Sequence, residues 1–177
     1  AHKAGKPVIV YKLGRSEAGR ALAVSHSGAV AGDDAAADAF FRDCGILRVD
    51  VLETLLEIAP LARRRIRYME KGGSGRKVAV LTTTGGGAAT TVDRMGAVGI
   101  ELVGAPKRLR DRLAPQGIAL SEGPIVDLTM AGTRREIYQP ALEALLRSKE
   151  NDAVVAVVGS SAQFHAGIAV EPIAAAA

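Results

Sequence analysis

The chain has 177 residues, 48% of them hydrophobic and 24% charged, enough to bury one large or two small cores. Its 23 Lys and Arg against 19 Asp and Glu leave a formal charge of +4, yet only 3% of residues are aromatic and Trp is absent. The stacking platforms of a nucleic-acid binder are therefore lacking, and anionic small ligands are the partners this charge favours. No apolar run reaches the roughly 18 residues of a membrane span, nothing at the start has the pattern of a signal peptide, and the single cysteine, Cys44, cannot form an internal disulfide. Together these predict a reducing, cytoplasmic setting without a membrane partner.

Strand and helix signals then alternate. Residues 6–11, Lys6-Pro7-Val8-Ile9-Val10-Tyr11, read as a strand. After it come Gly14-Arg15-Ser16 and the small-residue loop Ser25-His26-Ser27-Gly28-Ala29-Val30-Ala31-Gly32, just ahead of an Ala-rich helix over 33–44 that Gly45 stops. Residues 46–49 form a short strand, and Asp50 is the expected N-cap of a helix running to about Pro60. The charged stretch 63–76, ending in Lys71-Gly72-Gly73-Ser74-Gly75-Arg76, reads as a linker. Beyond it are strands at 77–82, 100–103, 125–128 and 153–158, with helices at 88–98, 107–113, 133–147 and from about Ala166.

Runs such as Val78-Ala79-Val80-Leu81 and Val154-Val155-Ala156-Val157-Val158 are apolar without alternation, the pattern of parallel strands buried on both faces. The fold class is therefore α/β with doubly wound parallel sheets. Two strands and two helices cannot close such a sheet, so 1–62 is expected to be the C-terminal part of one domain and 77–177 most of a second. The chain reads as a piece of something longer.

Ligands of doubly wound sheets bind at the carboxyl ends of the strands, so the turns there matter most. Thr83-Thr84-Gly85-Gly86-Gly87 follows the strand at 77–82 and opens a helix, where glycines let an anion approach the backbone N–H groups. It is neither a Walker A loop nor Gly-x-Gly-x-x-Gly, and alone it fits a tight strand–helix connection equally well. Gly159-Ser160-Ser161 occupies the same kind of position after the last strong strand, offering hydroxyls and backbone donors or serving only as a turn. His26, flanked by Ser25, Ser27 and Gly28, has little steric cover, and neutral imidazole is a competent nucleophile near pH 7. His2 and His165 lack such a setting and read as surface residues, and Cys44 as a small buried apolar residue; no spacing suggests a metal site.

The residues Gly5-Lys6-Pro7-Val8-Ile9-Val10-Tyr11-Lys12, Gly14-Arg15-Ser16 and Ser25-His26-Ser27-Gly28-Ala29-Val30-Ala31-Gly32 resemble the phosphohistidine segment of the nucleoside-diphosphate-forming acyl-CoA synthetases, relatives of succinyl-CoA synthetase. Ser27 stands where that family usually has Thr. The likeness continues through Arg48-Val49-Asp50 and Leu52-Glu53-Thr54-Leu55-Leu56, then through Val78-Ala79-Val80-Leu81-Thr82 with Gly85-Gly86-Gly87, Val126-Asp127-Leu128 and Val157-Val158-Gly159-Ser160-Ser161. Gly123-Pro124 departs from the usual Asn-Pro.

The resemblance implies flavodoxin-like domains and an ATP-dependent acid–CoA ligase that forms a thioester through an acyl phosphate, its phosphoryl group passing through His26 as a phosphohistidine. Ser25, Ser27 and Gly28 would form the phosphohistidine loop, and Thr84, Gly85, Gly86, Gly87, Ser160 and Ser161 would bind phosphate. It further implies CoA, ATP and Mg, a small carboxylic acid substrate, CoA-binding Rossmann and ATP-grasp domains in the same chain or a partner subunit, and an oligomer. Alone, the chain is expected to be inactive as a ligase. The alternative is a catalytically inactive, ligase-like module that senses CoA or acyl-CoA, in which His26 is dispensable.

Overall fold

The computed structural model describes residues 1–27, 32–70 and 75–176, without the side chains of His2, His26, Ser27, Ser161 and residues 65–70. The chain divides into two compact units, Ala1–Gly73 and Ser74–Ala177.

In the first unit, β1 (Ile9–Tyr11) pairs in parallel with β2 (Leu47–Val49), Val10 opposite Arg48. Between them lie α1 (Glu17–Ser27) and α2 (Asp34–Asp43). Sequence composition suggested a loop through Ser25 and Ser27, whereas α1 carries both in its last turn. Ser16 starts that helix by accepting from the Gly19 N–H at 3.0 Å, and Gly14, at φ +78°, turns the chain into it. Asp33, expected as the first residue of the helix, is its N-cap, accepting from the N–H groups of Ala35 and Ala36.

Asp50 is not a cap. Val51 occupies that position before α3 (Leu52–Glu57), while Asp50 pairs with Arg15. The stretch at 63–70, expected as linker, is helical within α4 (Ala59–Glu70), since its Arg, Met and Glu residues are good helix formers and it holds no Gly or Pro. Among the described residues of this unit, Val49 and Ala62 are the buried hydrophobic ones, and Leu13, Leu22, Phe40, Leu56 and Leu61 are exposed.

The second unit is built on β3 (Lys77–Thr82), whose residues 78–82 are buried. Its register with β6 (Ala153–Val157) runs from Val78↔Ala153 to Thr82↔Val157. It also pairs with β4 (Glu101–Leu102) at Lys77–Val78 and with β5 (Val126–Asp127) at Leu81–Thr82, all in parallel. Carbonyls along a strand alternate between its edges. Arg76 and Val78 accept from the β4 segment and Thr82 from Leu128, whereas Lys77 accepts from Asp152. Thus β4 and β5 share one edge of β3, near its beginning and its end, and β6 takes the other.

Helices α5 (Gly85–Ala97), α6 (Lys107–Leu113), α7 (Arg135–Leu146) and α8 (Ala166–Ala176) accompany this sheet. The core joins Ala79 and Leu81 of β3 and Val126 and Leu128 around β5 to Leu109 and Leu113 of α6 and Ile137, Leu142 and Leu145 of α7. β6 departs from the expected burial on both faces. Residues 154–157 are half-buried and Val158 is exposed, because among the described residues β6 pairs on the β3 side alone.

Candidate functional site at the carboxyl end of the second sheet

The end of β3 is shaped by a polar side chain with no exposure. Thr82 Oγ1 accepts from the Thr84 N–H and donates to the Thr84 carbonyl, both at 2.9 Å. Thr84 is thereby held extended at φ −140°, ψ 123° as the N-cap of α5, but its own side chain makes no capping bond. The N–H groups of Gly85, Gly86 and Gly87 are left without a side-chain acceptor among the described residues, the condition under which a helix start attracts an anion. The helix begins at Gly85, three residues before the expected position, because this N-cap geometry lets the glycines join its first turn.

The three glycines differ. A Cβ on Gly85 or Gly86 would meet nothing within 4 Å, whereas one on Gly87 would lie 2.9 Å from Val157 Cγ1 and 3.0 Å from Thr84 Cγ2. Gly87 is a packing glycine that lets α5 close onto β6. Gly85 and Gly86 leave the helix start open.

The other strand ends gather beside it. After β5, Asp127 Oδ1 accepts from the Thr129 N–H at 2.8 Å, and a 3-10 turn over Thr129–Thr133 brings Gly132 against β3. A Cβ on Gly132 would stand 2.5 Å from Thr83 Cγ2 and 2.8 Å from Leu128 Cβ. After β6, Gly159 leads into a 3-10 turn over Ser160–Phe164 and then α8. Thr83, Gly132 and Gly159 line one cavity of about 300 Å³, with Val157, Tyr138 and His165 among its other walls. Ser160 is exposed and is not among those walls; the Ser161 side chain lies outside the described residues.

Sequence reasoning missed Tyr138. An aromatic on the apolar face of a helix reads as core, and only the packed structure reveals that its buried hydroxyl lacks a partner among the described residues. Burial raises its pKa above the ordinary tyrosine value. His165 is exposed as expected, but it belongs to the cavity wall.

In the first unit, the predicted catalytic residue His26 sits in the last turn of α1, its side chain outside the described residues, as is all of Gly28. The Ser25 hydroxyl donates to the Leu22 carbonyl at 2.9 Å. Sequence reading also passed over the charged network at the base of this segment. Asp34 accepts from Arg48 at 2.7 Å and Lys12 at 3.2 Å and lies 3.8 Å from Arg15, while Arg48 also reaches Asp38 at 3.3 Å. Lys12 and Arg15 precede α1 and Asp34 opens α2, so these pairs tie together the two ends of the stretch that carries His26. The Arg48 guanidinium, first among the causes, holds the Asp34 carboxyl below its usual pKa. Cys44 is exposed at the end of α2 rather than buried, since it caps the helix where the chain turns outward through Gly45. Among the described residues, no three His, Cys, Asp or Glu side chains cluster as a metal site would need, and no helix is long and apolar enough to cross a membrane.

Residues 1–62 match the succinyl-CoA ligase-like flavodoxin domain family. Over 86% of its length the chain is 33% identical to the alpha subunit of the ADP-forming acetate–CoA ligase II of Pyrococcus furiosus, covering 32% of that protein. Over 95% of its length it is 30% identical to a trans-feruloyl-CoA synthase from an unknown prokaryotic organism, covering 23% of it. Among solved structures, the dinucleotide-forming acetyl-coenzyme A synthetase 1 of Ca. Korarchaeum cryptofilum, in complex with phosphate and ADP, aligns with a TM-score of 0.66 at 26% identity, over 97% of this chain and 37% of that one. The chain spans about a quarter to a third of the length of the relatives it matches.

Proposed function

The chain belongs to the nucleoside-diphosphate-forming acyl-CoA synthetases, with succinyl-CoA synthetase-like flavodoxin domains, and we propose on that premise that it supplies the phosphohistidine and phosphate-holding portion of an ATP-dependent acid–CoA ligase. In this reading the unprotonated imidazole nitrogen of neutral His26 attacks the γ-phosphorus of ATP, ADP leaves, and the other ring nitrogen gives up its proton. A substrate carboxylate oxygen then takes the phosphoryl group, breaking the P–N bond and forming an acyl phosphate. The CoA thiolate attacks the acyl carbonyl, and inorganic phosphate departs. His26 is the catalytic residue, within the segment of Ser25, Ser27 and Gly28, and the start of α5 at Thr84, Gly85, Gly86 and Gly87 holds phosphate, with Ser160 and Ser161 as further donors.

The observation that carries this reading is the first turn of α5. Its glycine N–H groups lack a capping side chain, and two of its three glycines have no packing reason to be glycine. CoA, ATP and its Mg, and the acid would be bound largely by CoA-binding Rossmann and ATP-grasp modules in the same chain or a partner. The described residues offer no carboxylate cluster for the metal, so no step is assigned to it here.

The test is incubation of the full-length protein with γ-labelled ATP. Acid-labile, base-stable label that is lost in His26→Ala supports the ligase. No label on the unmodified protein overturns it and favours a module that senses CoA or acyl-CoA.

A further inference from the structure

The second unit holds another cavity, of about 310 Å³, between α6 and α7. Its floor is apolar: Leu109 is buried, and Pro106, Pro140 and Ala144 are half-buried. Its rim is charged. Arg108 and Arg112 stand on the α6 side, Arg147 and Lys149 on the other, and all four are exposed. The turn through Ser148 and Glu150 leads to Asp152, whose N–H donates to the Lys77 carbonyl at the start of β3 at 2.7 Å. This groove therefore reaches the amino end of the sheet, away from the glycine turn that follows β3.

The charges on this rim are not balanced. Glu143 is occupied, accepting from Arg147 at 3.3 Å and from Gln139 at 3.2 Å, which leaves Glu150 as the other carboxylate in the wall. The side chains of Arg108, Arg112 and Lys149 make no ion pair or hydrogen bond among the described residues. Helix α6 supplies an internal comparison. Lys107 pairs with Asp111 at 2.7 Å, and Arg110 reaches the Ala105 carbonyl at 3.1 Å and Glu122 at 3.4 Å. The two arginines of α6 that line the groove, one helical turn apart, are the ones without partners. A face arranged for solubility alone intersperses charges of both signs. Unpaired guanidinium groups above an apolar floor instead match an anion with an apolar body, and their planar forks suit the paired oxygens of a phosphate.

We propose that this groove binds a small organic phosphate, its phosphate group held by Arg108, Arg112 and Lys149 and its apolar part laid on Leu109, Pro140 and Ala144. The site is separate from the phosphate handling at the start of α5 and does not rest on the ligase reading. At about 310 Å³ the groove lies at the small end of ligand pockets, which run from roughly 300 to 1,000 Å³, so its occupant is the size of a single ring with one phosphate. Inorganic phosphate meets the rim but leaves the floor in contact with water, so it is the weaker ligand.

The full-length protein is titrated with 4-fluorophenyl phosphate, followed by fluorine NMR of the ligand, with inorganic phosphate and phenyl phosphate as competitors. Phenyl phosphate should displace the probe at lower concentration than inorganic phosphate does. Arg108→Gln and Arg112→Gln should each weaken binding about fivefold, the scale of one ion pair at an exposed site. Lys107→Gln removes the same charge from the same helix, but from a side chain already paired with Asp111, and should leave the affinity within about twofold. Three results would overturn the proposal. No binding by the unmodified protein leaves the rim to an acidic protein partner. Equal losses in all three variants report only the general field of a basic helix. Binding unchanged in the Arg108→Gln/Arg112→Gln double variant places the phosphate elsewhere, as at the start of α5. The substituted side chains are exposed, so the variants should fold, and unfolding curves check this. If an arginine variant misfolds, Lys149→Gln on the opposite side of the groove carries the same expected loss.

Discussion

Substituting alanine at Gly86 and, separately, at Gly87 separates a glycine kept for packing from one kept for a ligand. Both occupy the first turn of α5, so replacing either relieves the entropic cost of an ordered glycine, about 0.5–1 kcal/mol. At Gly86 nothing lies within 4 Å of the new methyl group, and the protein should become more stable by up to about 1 kcal/mol. For a unit of roughly 100 residues that raises Tm by about 4–8 °C. At Gly87 the methyl group stands 2.9 Å from Val157 Cγ1 and 3.0 Å from Thr84 Cγ2, an overpacking cost of about 1–3 kcal/mol, so Tm should fall. Thermal unfolding followed by circular dichroism reads both changes. Phosphate handling should run the other way at Gly86. If a phosphate oxygen must reach the open N–H groups, the added methyl group weakens a contact worth up to about 2 kcal/mol, and phosphohistidine formation should slow by up to about 30-fold. A Gly86→Ala protein that is as destabilised as Gly87→Ala, or more stable and fully labelled, would refute the reasoning.

Three further outcomes follow from other parts of the structure. Gly104→Ala should be among the most destabilising single changes, because its Cβ would run into the Gly123 carbonyl oxygen, a backbone atom that cannot turn aside as a side chain could; the urea midpoint should fall well below that of Gly87→Ala. Tyr138→Phe should be neutral or stabilising by about 1 kcal/mol, since it removes a buried hydroxyl with no partner among the described residues. It should also blunt alkaline unfolding. A tyrosine whose folded pKa is raised contributes its full stability below the ordinary value near 10 and loses it as pH climbs beyond, so the gap between variant and parent should widen there. Asp34 has the opposite sign. Its depressed pKa gives stability that is present above about pH 4 and lost as pH falls below it, so Arg48→Met should be less stable at neutral pH, with the difference shrinking in acid unfolding titrations.

The parts of the fold legible in the sequence are those where burial and local chemistry agree. Val78–Leu81 is an unbroken apolar run and lies in the central strand, Lys77–Thr82; the helix Lys107–Leu113 follows ordinary helix signals. The misreadings occur where one residue type serves two purposes. Gly14, Ser16, Gly19, Ser25 and Ser27 suggest a loop by composition, yet Ser16 caps a helix that continues through Ser27. Asp50 has the right chemistry for a cap, but Arg15, distant in sequence, claims its carboxylate.

The candidate site divides in the same way. Its glycine turn can be read because three consecutive glycines before a helix are unusual, but the division of labour among them depends on Val157, 70 residues further along the chain. Tyr138 is the extreme case. Nothing in Glu136-Ile137-Tyr138-Gln139 distinguishes it from a core aromatic, and its meaning arises only once Gly132 and Thr83 close one side of the space and Gly159 another. If these glycines set the width of the cavity, a methyl group at Gly132, 2.5 Å from Thr83 Cγ2, would push apart the turn after β5 and the end of β3 rather than only fill space. Gly132→Ala should then lower stability by about 1–3 kcal/mol, read as a fall in Tm, whereas Tyr138→Phe on the neighbouring wall leaves stability unchanged or raises it. A Gly132→Ala protein as stable as its parent would show that the turn after β5 gives way without strain, and that Gly132 does not set the width of the cavity.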